Sequence, residues 1–163
     1  MRFANVLVPL DGSALAETAL PTAVQLVKEQ GASLSLMRAV EAWGLTSDLV
    51  EAEISVIREA EQYLAKLADL LRANGCTHVK TSVWYGAPAR SVVDAAEAQK
   101  ADLIVMTSHG RSGISRLIMG SVAESVLRGT TTPILLLRAA SAGVFPPDGT
   151  AGRVDATEDG AVA

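Results

Sequence analysis

The sequence predicts an α/β fold, a doubly wound five-stranded parallel sheet with right-handed crossovers, and three observations carry that expectation. Val6-Leu7-Val8 and the run from Asp102 to Met106 are short apolar stretches of strand length, as suits strands buried on both faces of a parallel sheet. Between such runs lie segments of helical period, the longest with Ile57, Ala60, Leu64, Leu67 and Leu71 three or four residues apart on one stripe. Strand and helix alternate five times within 163 residues that are 49% hydrophobic, enough for one domain with a real core and too short to expect two.

Taken in order, Phe3 to Leu10 is the first strand, and Asp11-Gly12-Ser13 turns the chain into a helix that Ser13 or Asp11 is placed to cap. That helix runs to about Gln30, with Gly31 positioned to end it. Pro21 removes the hydrogen bond to the carbonyl of Glu17, which predicts a bend there rather than a break. Ser33 to Val40 is the second strand, with Leu34 and Leu36 on one face. A loop from Glu41 to Leu49 carries Trp43 and Gly44, and the long helix starts near Ser47 or Asp48 and reaches Asn74, where Gly75 ends it. Val79, Thr81, Val83 and Tyr85 alternate with Lys80, Ser82 and Trp84, the period of an edge strand with one wetter face. Pro88 suits the first turn of a helix reaching about Lys100. The fourth strand follows, then a glycine-rich loop, a helix opened by Ser121, and a last strand from Pro133 to Arg138.

Composition narrows the function classes. A net charge of −4 argues against a broad nucleic-acid or anionic-membrane surface. Four arginines and one acid between Arg111 and Arg138 nevertheless make that region locally positive, an island better suited to a small anion than to a polymer. Cys76 is the single cysteine, so no disulfide framework and no cysteine metal site is expected. The N-terminus has no secretory pattern and no apolar run approaches the ~20 residues of a membrane helix, so the expectation is a cytoplasmic protein.

The chemistry concentrates after the fourth strand. Gly110, Gly113 and Gly120 can take positive φ or let a ligand approach the backbone, and the helix that follows offers unpaired N–H groups and the positive end of its dipole. Ser108, Ser112, Ser115 and Ser121 add hydroxyls, and Arg111 and Arg116 add fixed positive charge. Glycines that merely shape a long connection are the plainer alternative. Neither G-x-x-x-x-G-K-[ST] nor G-x-G-x-x-G is present. Asp11 also reads two ways: as a helix cap, or as a carboxylate at the end of a parallel strand that holds a ribose or a metal. His109 can donate to a phosphate or move a proton, or simply bond to backbone, and His78 reads as structural or exposed.

The run TSHGRSGISRLIMGSVAESVL, together with VLVPLDGS near the N-terminus, resembles the universal stress protein family over about residues 3 to 138. Nucleotide-binding members carry Gly-x-x-Gly, nine residues, then Gly-Ser or Gly-Thr. Here Gly110 is followed by nine residues, Arg111 to Met119, and then Gly120-Ser121, with Thr107 at the position of the first glycine. The resemblance implies strand order 3-2-1-4-5 in one Rossmann-like domain over residues 1–138, which puts Asp11 beside the loop from Thr107 to Ser121. It further implies that the phosphates of ATP meet Gly110, Arg111, Ser112, Gly113, Gly120, Ser121 and Val122, flanked by Met106, His109 and Ala123. Asp11 would face the ribose or a Mg²⁺ ion, and the Ala39 backbone would meet the adenine edge. Pro9 and Leu10 would line the pocket, with Thr107 and Ser108 under the phosphates and sugar. A sensor or switch with little hydrolysis is the implied role. A dimeric interaction module that holds no nucleotide, marked by Thr107, and an authentic nucleotide hydrolase are the alternatives.

In that order the strand 133–138 lies at an edge, where Pro-Ile-Leu-Leu-Leu-Arg would be an aggregation hazard unless covered. A second copy of the chain is the cover the resemblance implies, making a homodimer; a loop or the tail is the other candidate. Residues 139–163 are rich in Ala, Gly, Pro and acids with little periodicity, and read as a disordered tail.

Overall fold

Val6, Leu7 and Val8 sit at the centre of the molecule because the strand that holds them is flanked on both edges and covered on both faces. The computed structural model describes residues 2–41, 47–108 and 119–138, and the account that follows concerns these. In chain order they form β1 (Asn5–Leu10), α1 (Ala14–Glu17), α2 (Leu20–Gln30), β2 (Ser33–Val40), α3 (Ser47–Ala73), β3 (Val79–Tyr85), α4 (Pro88–Ala98), β4 (Leu103–Thr107), α5 (Ser121–Gly129) and β5 (Ile134–Leu137). The sheet order is β3-β2-β1-β4-β5 and every pairing is parallel, as expected. Val6 is opposite Leu34 on one side and Leu103 on the other. The Asp102 carboxylate ties the entry to β4 onto β1, its two oxygens accepting from the N–H groups of Ala4 at 2.7 Å and Asn5 at 3.1 Å.

Alternation along the strands divides the core into two layers. Val6, Val8, Leu34 and Leu36 pack with Leu20 and Val27 of α2 and with Leu64 and Leu71 of α3. Leu7, Met37, Ile104 and Met106 point the other way, onto Val92 and Ala96 of α4 and Ala123 and Val126 of α5. The α3 stripe holds: Ala60, Leu64 and Leu71 are buried, and Leu67 packs at the margin. Truncating a fully buried leucine such as Leu64 to alanine would cost about 2–5 kcal/mol. Gly31 caps α2 in the left-handed conformation at φ 66°, its N–H donating to the Val27 carbonyl.

One element departs from expectation. The first helix is broken, not bent: α1 stops at Glu17 and α2 begins at Leu20. Thr18 and Ala19 close α1 with three-residue hydrogen bonds to Leu15 and Ala16, and the Thr18 hydroxyl also donates to the Leu15 carbonyl at 2.6 Å. Pro21 then occupies the first turn of a new helix, where its missing N–H costs nothing and its fixed φ is already helical. The region 139–163 expected to be a tail lies outside the described residues. Among the described residues no helix is long and apolar enough to cross a membrane.

Candidate functional site

The parallel strands all end on one side, and the turns that follow β1, β2 and β4 surround a cavity of about 600 Å³. Its size is that of small-molecule sites, which run about 300–1,000 Å³. At the end of β1, Gly12 turns the chain at φ 83°, and Asp11 fixes the turn. The Asp11 Oδ1 accepts from the Ser13 N–H at 2.9 Å and from the Ser13 hydroxyl at 2.6 Å; the Ser13 oxygen in turn accepts from the Ala16 N–H and caps α1. Ser13 is therefore the cap and Asp11 its support, and the Asp11 residue also lines the cavity.

On the opposite wall, the Gly120 N–H donates to the Ser108 carbonyl at 2.7 Å, which joins the end of β4 to the start of α5. Gly120 is the N-cap of α5 and, among the described residues, no side chain caps it, so the first N–H groups of that helix have no intrahelical acceptor where the chain lines the cavity. Free N–H groups and the helix dipole together favour an anion there. Gly120 has φ −63°, so of the two properties expected of it, positive φ is not the one used. Between these polar ends the wall is largely apolar, with Met37, Ala39 and Val40 from β2, Val92 from α4 and Met106 from β4.

The cavity thus brings together Pro9, Leu10, Asp11, Ala39, Met106, Thr107, Ser108, Gly120, Ser121, Val122 and Ala123. Thr107 is buried as the last residue of β4 and lines the cavity. His109, Gly110, Arg111, Ser112 and Gly113, also expected at the site, lie outside the described residues. Among the described residues no group of three or more His, Cys, Asp or Glu side chains is placed to hold a metal. His78 is exposed on the approach to β3, away from the cavity lining.

Sequence reasoning missed the wall built by α3 and the charged end of β2. Arg38, Glu41, Val56, Glu59, Pro88 and Val92 all line the cavity. Arg38 is the notable omission: it is 7% exposed, lies 3.4 Å from Glu59 of α3, and carries its guanidinium carbon 5.4 Å from the centre of the Tyr63 ring. Tyr63 donates its hydroxyl to Glu17 at 2.8 Å, linking α3 to α1. Burial, and then the Glu17 carboxylate, push the Tyr63 hydroxyl well above its ordinary pKa of 10.0. An arginine inside the otherwise uncharged run SLSLMRAV is the available signal, because buried strands rarely accept a charge without a purpose.

Against known proteins, the model of the universal stress protein family matches residues 2–138. The universal stress protein YxiE of Bacillus subtilis is 32% identical over 148 residues, covering 83% of this chain and 99% of that one. Among solved structures, the universal stress protein UspA from Lactobacillus plantarum superposes with a TM-score of 0.76 at 24% identity, covering 85% and 99% of the two chains, a likeness of fold. A universal stress protein solved in complex with cAMP is 28% identical, with a TM-score of 0.58 and 85% and 98% of the two chains covered.

Proposed function

The chain belongs to the universal stress protein family, and from that premise we propose that its cavity binds an adenine nucleotide, with ATP and Mg²⁺ as the ligand pair. The observation that carries the reading is the cavity itself: a carboxylate at the end of β1, an uncapped helix start beside β4, and an apolar wall between them. That arrangement suits a molecule with a flat apolar base, a polar sugar and an anionic end. A related protein crystallised with cAMP supports the same class of ligand.

In this reading the N–H groups of Ser121, Val122 and Ala123 meet the phosphates, together with the loop residues Gly110 to Gly113. Asp11 faces the ribose or the metal, and the Ala39 backbone meets the base. Mg²⁺ fits such a site because it keeps most of its waters and needs one or two carboxylates beside the phosphates. A cavity of about 600 Å³ with Thr107 in its lining supports this reading over the module that holds no nucleotide. Denaturing the purified protein and identifying released nucleotide by mass and absorbance, with calorimetry against added ATP, tests the reading; no bound nucleotide and no heat of ATP binding would refute it.

We further propose a homodimer through the open edge of β5 and a role as a switch with little hydrolysis. The edge carries four leucine and isoleucine residues that are half-buried in the single chain.

A further inference from the structure

We propose that Arg38 is a specificity-determining residue that binds a phosphate on the ribose, so that the ligand class is an adenosine bearing phosphate on its 5′ oxygen and on its 2′ or 3′ oxygen. The inference rests on the nucleotide reading above and goes beyond it by naming a second anionic group.

Arg38 carries a buried charge that, among the described residues, is paired only through one long contact to an exposed carboxylate. Its side chain is 8% exposed and lines the cavity. A guanidinium has five N–H donors. Among the described residues one is taken, from Nη2 to the Glu59 Oε1 at 3.4 Å, at the long limit of a hydrogen bond. Glu59 is 71% exposed, so its charge is spent largely on water. The Tyr63 ring attracts the cation through its face and accepts no hydrogen bond in the plane of the fork. Burying a charge is costly unless it is paired, and among the described residues this one leaves most of its donors unspent beside the cavity.

Position names the missing group. A Cβ placed on Gly12 would lie 3.3 Å from Nη1 and 3.5 Å from Nη2, so both ends of the guanidinium lie against the Asp11-Gly12 turn. That is the turn whose carboxylate faces the ribose in the proposed reading, one strand away from the phosphate end at α5. In dinucleotide sites an acid takes the free ribose hydroxyl, whereas an arginine nearby accommodates a phosphate on the sugar, and it is Arg38 that lies against this turn. The planar fork matches phosphate bidentately, whereas a neutral diol leaves its charge unmatched. A phosphate there would displace Glu59 into solvent, where an exposed carboxylate loses little.

The test is calorimetric titration of the full chain with AMP, adenosine 2′,5′-bisphosphate and adenosine 3′,5′-bisphosphate. One bisphosphate is expected to bind about ten-fold or more tightly than AMP, the yield of one or two charge-assisted hydrogen bonds. Arg38→Met should bring that ratio close to one, and Arg38→Lys, which keeps charge but not the fork, should reduce it and serves if the methionine variant fails to fold by circular dichroism. Glu59→Gln, by removing the competing carboxylate, should widen the ratio. AMP binding in the parent with neither bisphosphate tighter, or a preference that survives both Arg38 variants, would overturn the assignment of Arg38 and leave the nucleotide reading standing. No binding of any of the three would overturn both.

Discussion

Tyr63 makes one hydrogen bond that the stability of the protein should report through pH. Its hydroxyl donates to Glu17 and its pKa is raised, so the folded state holds this proton more tightly than the unfolded chain does. The stabilisation is complete below the unfolded value near 10.0 and is lost as pH rises above it, because the unfolded chain then releases a proton that the folded one keeps. Tyr63→Phe should cost about 1 kcal/mol at neutral pH and remove a slope of about 1.4 kcal/mol per pH unit above pH ~10, read as the difference between parent and variant in urea melts. Gly120 gives the complementary case. Its φ of −63° and ψ of 144° are open to a β-branched residue, so Gly120→Val should keep the fold while its side chain crowds the uncapped start of α5. ATP affinity should fall about ten-fold or more in calorimetry, the loss of one charge-assisted contact; equal affinity would remove that helix start from the site. At this scale the sequence was partly legible. Asp11, Ser108 and Ser121 stood out because turn and cap chemistry is local, whereas Arg38 gains its meaning only when α3 brings Glu59 and Tyr63 over β2.

Elements were the most legible scale, since period and punctuation are written along the chain. All five strands and the long α3 helix lie where the apolar runs put them, and Gly31 ends α2 as expected. The break at Thr18-Ala19 is not legible from the hydrogen bond that Pro21 removes, because a proline can equally start a new helix, as it does here. β5 carries the prediction at this scale. Ile104 donates to the Pro133 carbonyl and Ser108 to the Leu137 carbonyl, so alternation leaves Ile134 and Leu136 with their backbone groups facing the open edge. Leu136→Pro deletes an outward N–H and keeps the inward ladder. In light scattering at micromolar concentration the parent should be a dimer and the variant should shift towards monomer; a monomeric parent would remove the edge contact. Leu136 also packs against the α4–α5 layer, so the variant should lose some thermal stability as well.

For the whole molecule, strand order came from resemblance to a family, since no periodicity states which strands are neighbours. The cavity wall was illegible for a related reason: Val56, Glu59 and Val92 reach it by packing of α3 and α4 over the strand ends, not by proximity in sequence. The assembled site predicts slow chemistry. Asp11 is held by Ser13, and Glu41 follows β2, two strand spacings or about 9–10 Å from β4, too far to orient a water at phosphates held by α5. Helix N–H groups bind substrate and transition state alike, which does not raise turnover. Steady-state ATP hydrolysis with Mg²⁺ should stay well below the ~10 s⁻¹ of ordinary enzymes; turnover above about one per second, abolished by His109→Ala, would make the protein an enzyme. The sheet order has a further consequence, for biosynthesis. β1 is made first yet needs β4 as a neighbour, and Val6 waits for Leu103. At about 5–20 residues per second, a ribosome leaves that apolar strand with one side open for roughly 5–20 s, so the nascent half-sheet of β1, β2 and β3 is the species a chaperone would meet.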